Sequence, residues 1–279
     1  MIKDVKLLVA DVDFTLVDNK KEMLPITRDM LNELHRRGVL LGIASERPCG
    51  NHLKSRWIDW NLDSQLDLII GMNGGEIFDT RKNKIDEYFM LKKKYIKEII
   101  DFMEPTGINC FVYQGETSLV RWYDQHMQNS SIRNKEPMTF AKKDSDLWAK
   151  DNHKLLYRCK DEKEADLAIK VASEHPSPYY NYFKTAPIMV EFQDPRVNKG
   201  FALKKYCKDN GISLDNVIAF GDAQNDNSML EIAGWGVSML NGSDSTKKIA
   251  DDVTDFDCDH DGLGLYIQKY LVGGKQYQM

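Results

Sequence analysis

The stretch Leu7 to Val12 is apolar except for Asp11, and it leads straight into Asp13-Phe14-Thr15. A strand this apolar has to be covered on both faces, which is the condition of a parallel sheet with helices on either side. The residues that follow keep to that demand. Thr27 to Arg37 carries Met30, Leu31 and Leu34 at helical spacing and stops at Gly38. Val39 to Ala44 is a second buried run and Leu66 to Ile70 a third. Strand, helix, strand in this order predicts an α/β fold.

The middle of the chain changes character. Helical patterns at Lys92 to Met103 and Asp161 to Glu174 stand among β-rich stretches at Asn109 to Tyr113, Ser118 to Tyr123, Leu155 to Cys159 and Pro178 to Phe183. Alternation then returns. Helices are expected at Gly200 to Asn210, Asn227 to Ala233, Ser245 to Ala250 and Leu263 to Leu271, and strands at Val217 to Phe220, Trp235 to Met239 and Val253. The pattern predicts a core built from residues 1–83 and 190–279, split by an α+β insert at 84–189. With 279 residues, 42% hydrophobic and 29% charged, the chain has enough material for two cores.

Other classes are excluded as expectations. A net charge of −5 advertises neither nucleic acid nor an anionic membrane. No stretch approaches the ~18 apolar residues of a membrane helix, and Leu7-Leu8-Val9-Ala10 is too short for a secretory signal. The five cysteines are about fifty residues apart without a C-x-x-C pair, so reduced thiols in the cytoplasm are expected.

Four places carry chemistry. Asp11 and Asp13, two apart at the end of a buried strand, share a face if the backbone stays extended. They suit a hard divalent cation, or a nucleophile beside a general acid/base, or simply a solvated turn. Ser45 ends the second strand, where a hydroxyl can cap a turn or hold a phosphoryl oxygen. Lys199 opens a helix, where an anion is favoured. Gly221-Asp222-Ala223-Gln224-Asn225-Asp226 follows the strand Val217 to Phe220 and puts Asp222 and Asp226 one helical turn apart. Cys258-Asp259-His260-Asp261 has metal-like residues, and Tyr179 to Phe183 is aromatic enough to stack on a ligand, but a polar loop and cap packing are the plainer readings.

Taken in order, these segments resemble the haloacid dehalogenase superfamily, and within it the Cof-type phosphatases with a large α+β cap. Asp11-Val12-Asp13-Phe14-Thr15-Leu16 matches the first motif, Ser45 the second, Lys199 in Asn198-Lys199-Gly200 the third, and Gly221-Asp222 with Asn225-Asp226 the fourth. Asn73-Gly74-Gly75 resembles the segment before the cap, and Asp261-Gly262 part of the C-terminal end. The resemblance implies a Rossmann-like three-layer core and a specificity-setting cap. It implies Mg²⁺-dependent hydrolysis of a small phosphorylated metabolite, such as a sugar phosphate, through an aspartyl-phosphate. Asp11 would be the nucleophile, Asp13 the acid/base, and Lys199 their neutralising partner. Asp11, Asp13 through its carbonyl, and Asp222 would hold the metal, supported by Asp226. Thr15, Ser45, Arg47 and Asn225 would hold substrate. A phosphomutase, or a binding protein whose catalysis is impaired, stands as the alternative.

Two departures from the family pattern stand out. Phe14 occupies a position usually given to Gly, and Glu46-Arg47 replaces Gly-Arg. The expectation for Phe14 is a ring turned into apolar packing, so that Phe14→Gly would cost stability. Arg47 is expected to meet substrate, to orient Glu46, or to serve a structural salt bridge.

Overall fold

A computed structural model describes residues 4–134 and 136–273. In chain order the first part holds β1 (Leu7–Asp11), α1 (Pro25–Arg36), β2 (Leu40–Ala44), α2 (Asn51–Lys54), α3 (Arg56–Asp59), β3 (Leu68–Gly71), β4 (Glu76–Asp79) and β5 (Lys84–Glu87). The middle holds α4 (Lys93–Met103), β6 (Asn109–Gln114), β7 (Thr117–Val120), α5 (Gln125–Asn134), β8 (Met138–Phe140), β9 (Lys154–Arg158), α6 (Glu162–Ser173), β10 (Asn181–Ala186) and β11 (Met189–Gln193). The last part holds α7 (Lys199–Asp209), β12 (Val217–Gly221), α8 (Asn227–Ile232), β13 (Trp235–Ser238), α9 (Asp244–Ile249), β14 (Asp252–Val253) and α10 (Gly262–Ile267).

Two compact units result, residues 4–86 with 198–273, and Glu87–Val197. The first is built on an eight-stranded sheet in the order β14-β13-β12-β1-β2-β3-β4-β5. β1 lies at its middle, parallel to β12 and β2, and every one of its residues is buried. Register sets the site: Ala10 pairs with Phe220 on one side and Ile43 on the other, and Asp11 pairs with Ala44. Parallel strands in that register bring Asp11, Ser45 and Asp222 to one end of the sheet, the carboxyl end where open α/β folds bind ligands. Leu8, Ala10, Ile43, Ile69, Phe220 and Leu263 join one hydrophobic core.

The second unit has a six-stranded sheet in the order β10-β11-β9-β6-β7-β8. Ile96, Ile99 and Ile100 of α4 and Ala165, Ala168 and Ala172 of α6 pack with Leu155, Tyr157 and Phe192 in its main core. Phe111, Val120, Met127 and Leu156 form a smaller cluster. The expected division at 83/84 and 189/190 shifts to 86/87 and 197/198. The reason is β11. Its Val190 and Phe192 belong to the core of the second unit, but Glu191 and Gln193 disguise the strand in the sequence. The five cysteines are free and buried. Among the described residues no helix is long and apolar enough to cross a membrane.

Candidate active site

Asp11 stands at the end of β1 with 7% of its surface open. Its partner is Lys199, the first residue of α7, whose side chain is fully buried. Lys199 Nζ donates to Asp11 Oδ1 at 2.5 Å and to Asp226 Oδ1 at 2.6 Å. The lysine is held there from two directions. Asn198 caps α7 by accepting from the Phe201 N–H at 2.7 Å. Gly74, at φ +105°, comes so close to the Asn198 carbonyl that a Cβ would lie 2.1 Å from its oxygen, a position that only glycine can fill.

Asp226 spends both oxygens. Oδ1 takes Lys199, and Oδ2 accepts the backbone N–H groups of Asp222 and Ala223, each at 3.0 Å. It therefore braces the turn after β12 as well as the lysine. Gly221 makes room for it, since a Cβ there would lie 2.4 Å from Asp226 Cβ. Thr15, itself buried, donates to Asp222 Oδ1 at 2.8 Å, so its hydroxyl positions a carboxylate. Ser45 lies one residue beyond β2 and is 1% exposed. Its Oγ accepts from the Arg47 N–H at 3.1 Å. Arg47 Nη1 donates to Asp13 Oδ2 at 3.0 Å, tying the second carboxylate to this loop. Asn225 donates to Asn73 Oδ1 at 3.2 Å.

Asn73 is a residue that the motif reading passed over as a site member. Met72, Asn73 and Gly74 all have positive φ, at 50°, 55° and 105°. The strained turn supports the neighbouring loop, with Met72 N–H donating to the Arg47 carbonyl at 2.9 Å and Asn73 N–H to that of Ser45 at 3.1 Å. An asparagine before two glycines was the signal available for it, since Asn tolerates the left-handed region.

Charge is crowded at this end of the sheet. Burial pushes the Asp11 carboxyl well up, and the Asp226, Asp222 and Glu46 carboxylates add to that while Lys199 opposes it. Burial and Asp226 raise Asp222 to about 6, against the hydrogen bond from Thr15. Burial alone would lower Lys199, but Asp11 and Asp226 outweigh it and hold the ammonium well above its usual range. Asp11, Asp222 and Asp226 each offer an oxygen within 4.8 Å of the others. Hard oxygen donors with surplus negative charge fit a divalent cation of the Mg²⁺ kind.

The other metal-like and aromatic candidates are engaged elsewhere. Asp261 binds the start of α1, Asp259 pairs with Asn19, and His260 Nδ1 lies 2.6 Å from Asp257 Oδ1. Tyr179 stacks on Tyr95 with centroids 4.7 Å apart, and Tyr180 is buried. Phe14 differs from expectation. Its φ is +63° and the residue is 48% exposed. The left-handed turn is kept, with the Phe14 carbonyl accepting from Asn241 Nδ2 at 2.8 Å. The ring is not turned into full apolar packing.

A family model described as haloacid dehalogenase-like hydrolase matches residues 8–267. A putative phosphatase of Streptococcus pyogenes is 27% identical over 271 residues, covering 96% of this chain and 99% of its own. A 5-amino-6-(5-phospho-D-ribitylamino)uracil phosphatase of Bacillus subtilis is 25% identical over 269 residues, covering 96% and 97%. A solved structure, a haloacid dehalogenase-like hydrolase from Bacteroides thetaiotaomicron, superposes with a TM-score of 0.82 at 25% identity, covering 95% of this chain and 99% of its own.

Proposed function

The chain belongs to the haloacid dehalogenase-like hydrolase family, as a phosphatase of the Cof type, and from that premise we propose that it hydrolyses a small phosphorylated metabolite through Asp11 with Mg²⁺. The observation that carries the proposal is the buried Asp11 carboxylate at the end of β1, held through one oxygen by Lys199 at 2.5 Å. Lys199 fixes Oδ1 and lowers the repulsion that a phosphoryl group would meet. Oδ2 is the atom for attack.

In the first step an Asp11 oxygen forms a bond to phosphorus as the bond to the leaving oxygen breaks. Asp13 donates its proton to that oxygen, releasing the alcohol. In the second step water attacks the aspartyl-phosphate, Asp13 takes the proton back, and the bond from phosphorus to Asp11 breaks to give inorganic phosphate. Arg47 orients Asp13 through its 3.0 Å contact. Ser45, Lys199 and Asn225 serve the phosphoryl oxygens, and Thr15 keeps Asp222 in place. Asp11 and Asp222, with the Asp13 carbonyl, would hold Mg²⁺, with Asp226 bracing them. Bound there, Mg²⁺ supplies neutralisation of charge on the transferring group. Cytoplasmic action on a soluble metabolite fits this chemistry.

The test is phosphate release from a panel of phosphomonoesters, with Mg²⁺ and with chelator. Release is expected with Mg²⁺ and lost with chelator. Asp11→Asn should lower turnover by at least about 10³-fold, since an amide cannot form the intermediate. Turnover by Asp11→Asn near the parent's rate would overturn the covalent route.

A further inference from the structure

Arg56, at the start of α3, has a half-buried guanidinium with no carboxylate in bonding distance among the described residues. Its Nη2 lies 2.6 Å from His52 Nε2, one helical turn earlier. Arginine can only donate, so the imidazole nitrogen accepts and His52 is neutral. The surroundings agree, since burial first and then the Arg56 and Arg47 guanidiniums push His52 down to about 4. Arg56 Nε is buried and meets no hydrogen-bond acceptor. The Trp60 ring lies 5.8 Å from the guanidinium, which offers a weak contact but no counter-charge.

The carboxylates in its field are Asp13 and Asp59, and they act on it through space. Asp13 is already bound by Arg47. Arg56 thus has no carboxylate of its own in bonding distance among the described residues, and its half-buried guanidinium keeps an unspent donor at Nε. Burying a charge without a partner is costly. A chain keeps such a group where a ligand brings the missing anion, and the planar guanidinium is shaped for carboxylate or phosphate.

We propose that Arg56, together with Arg47, binds a second anionic group on the leaving alcohol, so that the preferred substrates are phosphomonoesters whose alcohol carries a carboxylate or a second phosphate. This rests on the reading of Asp13 as the acid that meets the leaving oxygen. Nothing else in the proposed reaction uses Arg56 or His52.

The test uses the full chain with Mg²⁺ and two ligands that cannot be turned over, 3-phosphonopropionate and propylphosphonate, which differ by the carboxylate. Calorimetry should show the first binding about tenfold more tightly, the size of one charge-assisted contact. Arg56→Gln should bring that ratio within about twofold and Arg56→Lys should keep part of it. In turnover, kcat/KM for a carboxylate-bearing ester or a bisphosphate should exceed that for a neutral sugar phosphate. The preferred one of the two identifies the anion. A purely structural Arg56 would weaken both phosphonates alike in Arg56→Gln, and an unchanged ratio overturns the inference. Equal binding of the two ligands by the parent protein overturns it as well. Carboxylate discrimination without hydrolysis of any ester would leave the anion site standing and remove the phosphatase reading. Hydrolysis with no preference for anionic alcohols would do the reverse.

Discussion

A phenylalanine in the left-handed region is a costly choice of residue, and Phe14 holds φ at +63° with 48% of its surface open. For a side chain with a Cβ, that conformation costs about 1–2 kcal/mol. A fully buried ring could offset it with ~1.5–3 kcal/mol, but a residue half in solvent offers about half as much. Glycine would remove the strain and the contact together, while giving the unfolded chain ~0.5–1 kcal/mol more entropy to lose. The terms nearly cancel. Phe14→Gly should therefore leave stability within about 1 kcal/mol of the parent, a shift of a few degrees at most in a domain of this size. A thermal melt decides it, and a loss near 3 kcal/mol would mean that the ring packs after all. The hydrogen bond from Asn241 to the Phe14 carbonyl uses only backbone at this position, so the substitution leaves the path of the turn intact.

At the scale of elements, the start of α1 is held by a residue more than two hundred positions away. Its own N-cap, Leu24, has no side chain that can accept, and Pro25 follows. Asp261 fills the role, accepting from Ile26 N–H at 2.9 Å, from Thr27 N–H at 2.7 Å and from Thr27 Oγ1 at 2.6 Å. It does so from a left-handed φ of +59° while opening α10. Asp261→Ala would strand two N–H groups, one of them buried, and force Ala into the left-handed region. The expected loss is about 2–4 kcal/mol, combining a lost cap and unsatisfied donors. Asp261→Asn, which tolerates that φ and still accepts, should lose less than half as much. Equal losses in denaturant titration of the two variants would show that capping is not what Asp261 contributes.

The same elements show what the sequence could tell. β1, β2, β12 and α7 were legible because uninterrupted apolar runs and a capped amphipathic start have one reading each. β11 was hidden by Glu191 and Gln193, β5 by its polar Lys84-Ile85-Asp86-Glu87, and α5 by a face with little contrast. The order of Asp11, Ser45, Lys199 and Asp222 pointed to one sheet end, since parallel register does the gathering. The partners did not show. That Thr15 serves Asp222, that Arg47 serves Asp13 and that Asn225 meets Asn73 depend on side-chain direction across loops, which spacing does not encode.

For the whole molecule, the decisive fact is that the two units have separate cores. Leu8, Ile43 and Phe220 belong to one cluster, Ile99, Tyr157 and Phe192 to another, and each has its own sheet. Burial is therefore collected inside each unit, which is the condition for a domain that folds alone. All the residues assigned to phosphoryl transfer, and Arg56 with them, lie in the first unit. Replacing residues 87–197 with a short Gly/Ser linker should leave a core that unfolds in one cooperative transition and that Mg²⁺ with inorganic phosphate still stabilises. Discrimination among neutral sugar phosphates should flatten, as the specificity-setting role that the resemblance implies for the cap predicts. The preference for an anionic alcohol should survive, because Arg56 and Arg47 remain. Calorimetric melts, and kcat/KM over the same ester panel, separate these outcomes. A trimmed core that folds and keeps the parent's full ranking would place specificity in the first unit. One that folds and loses the anion preference along with the rest would take that preference away from Arg56.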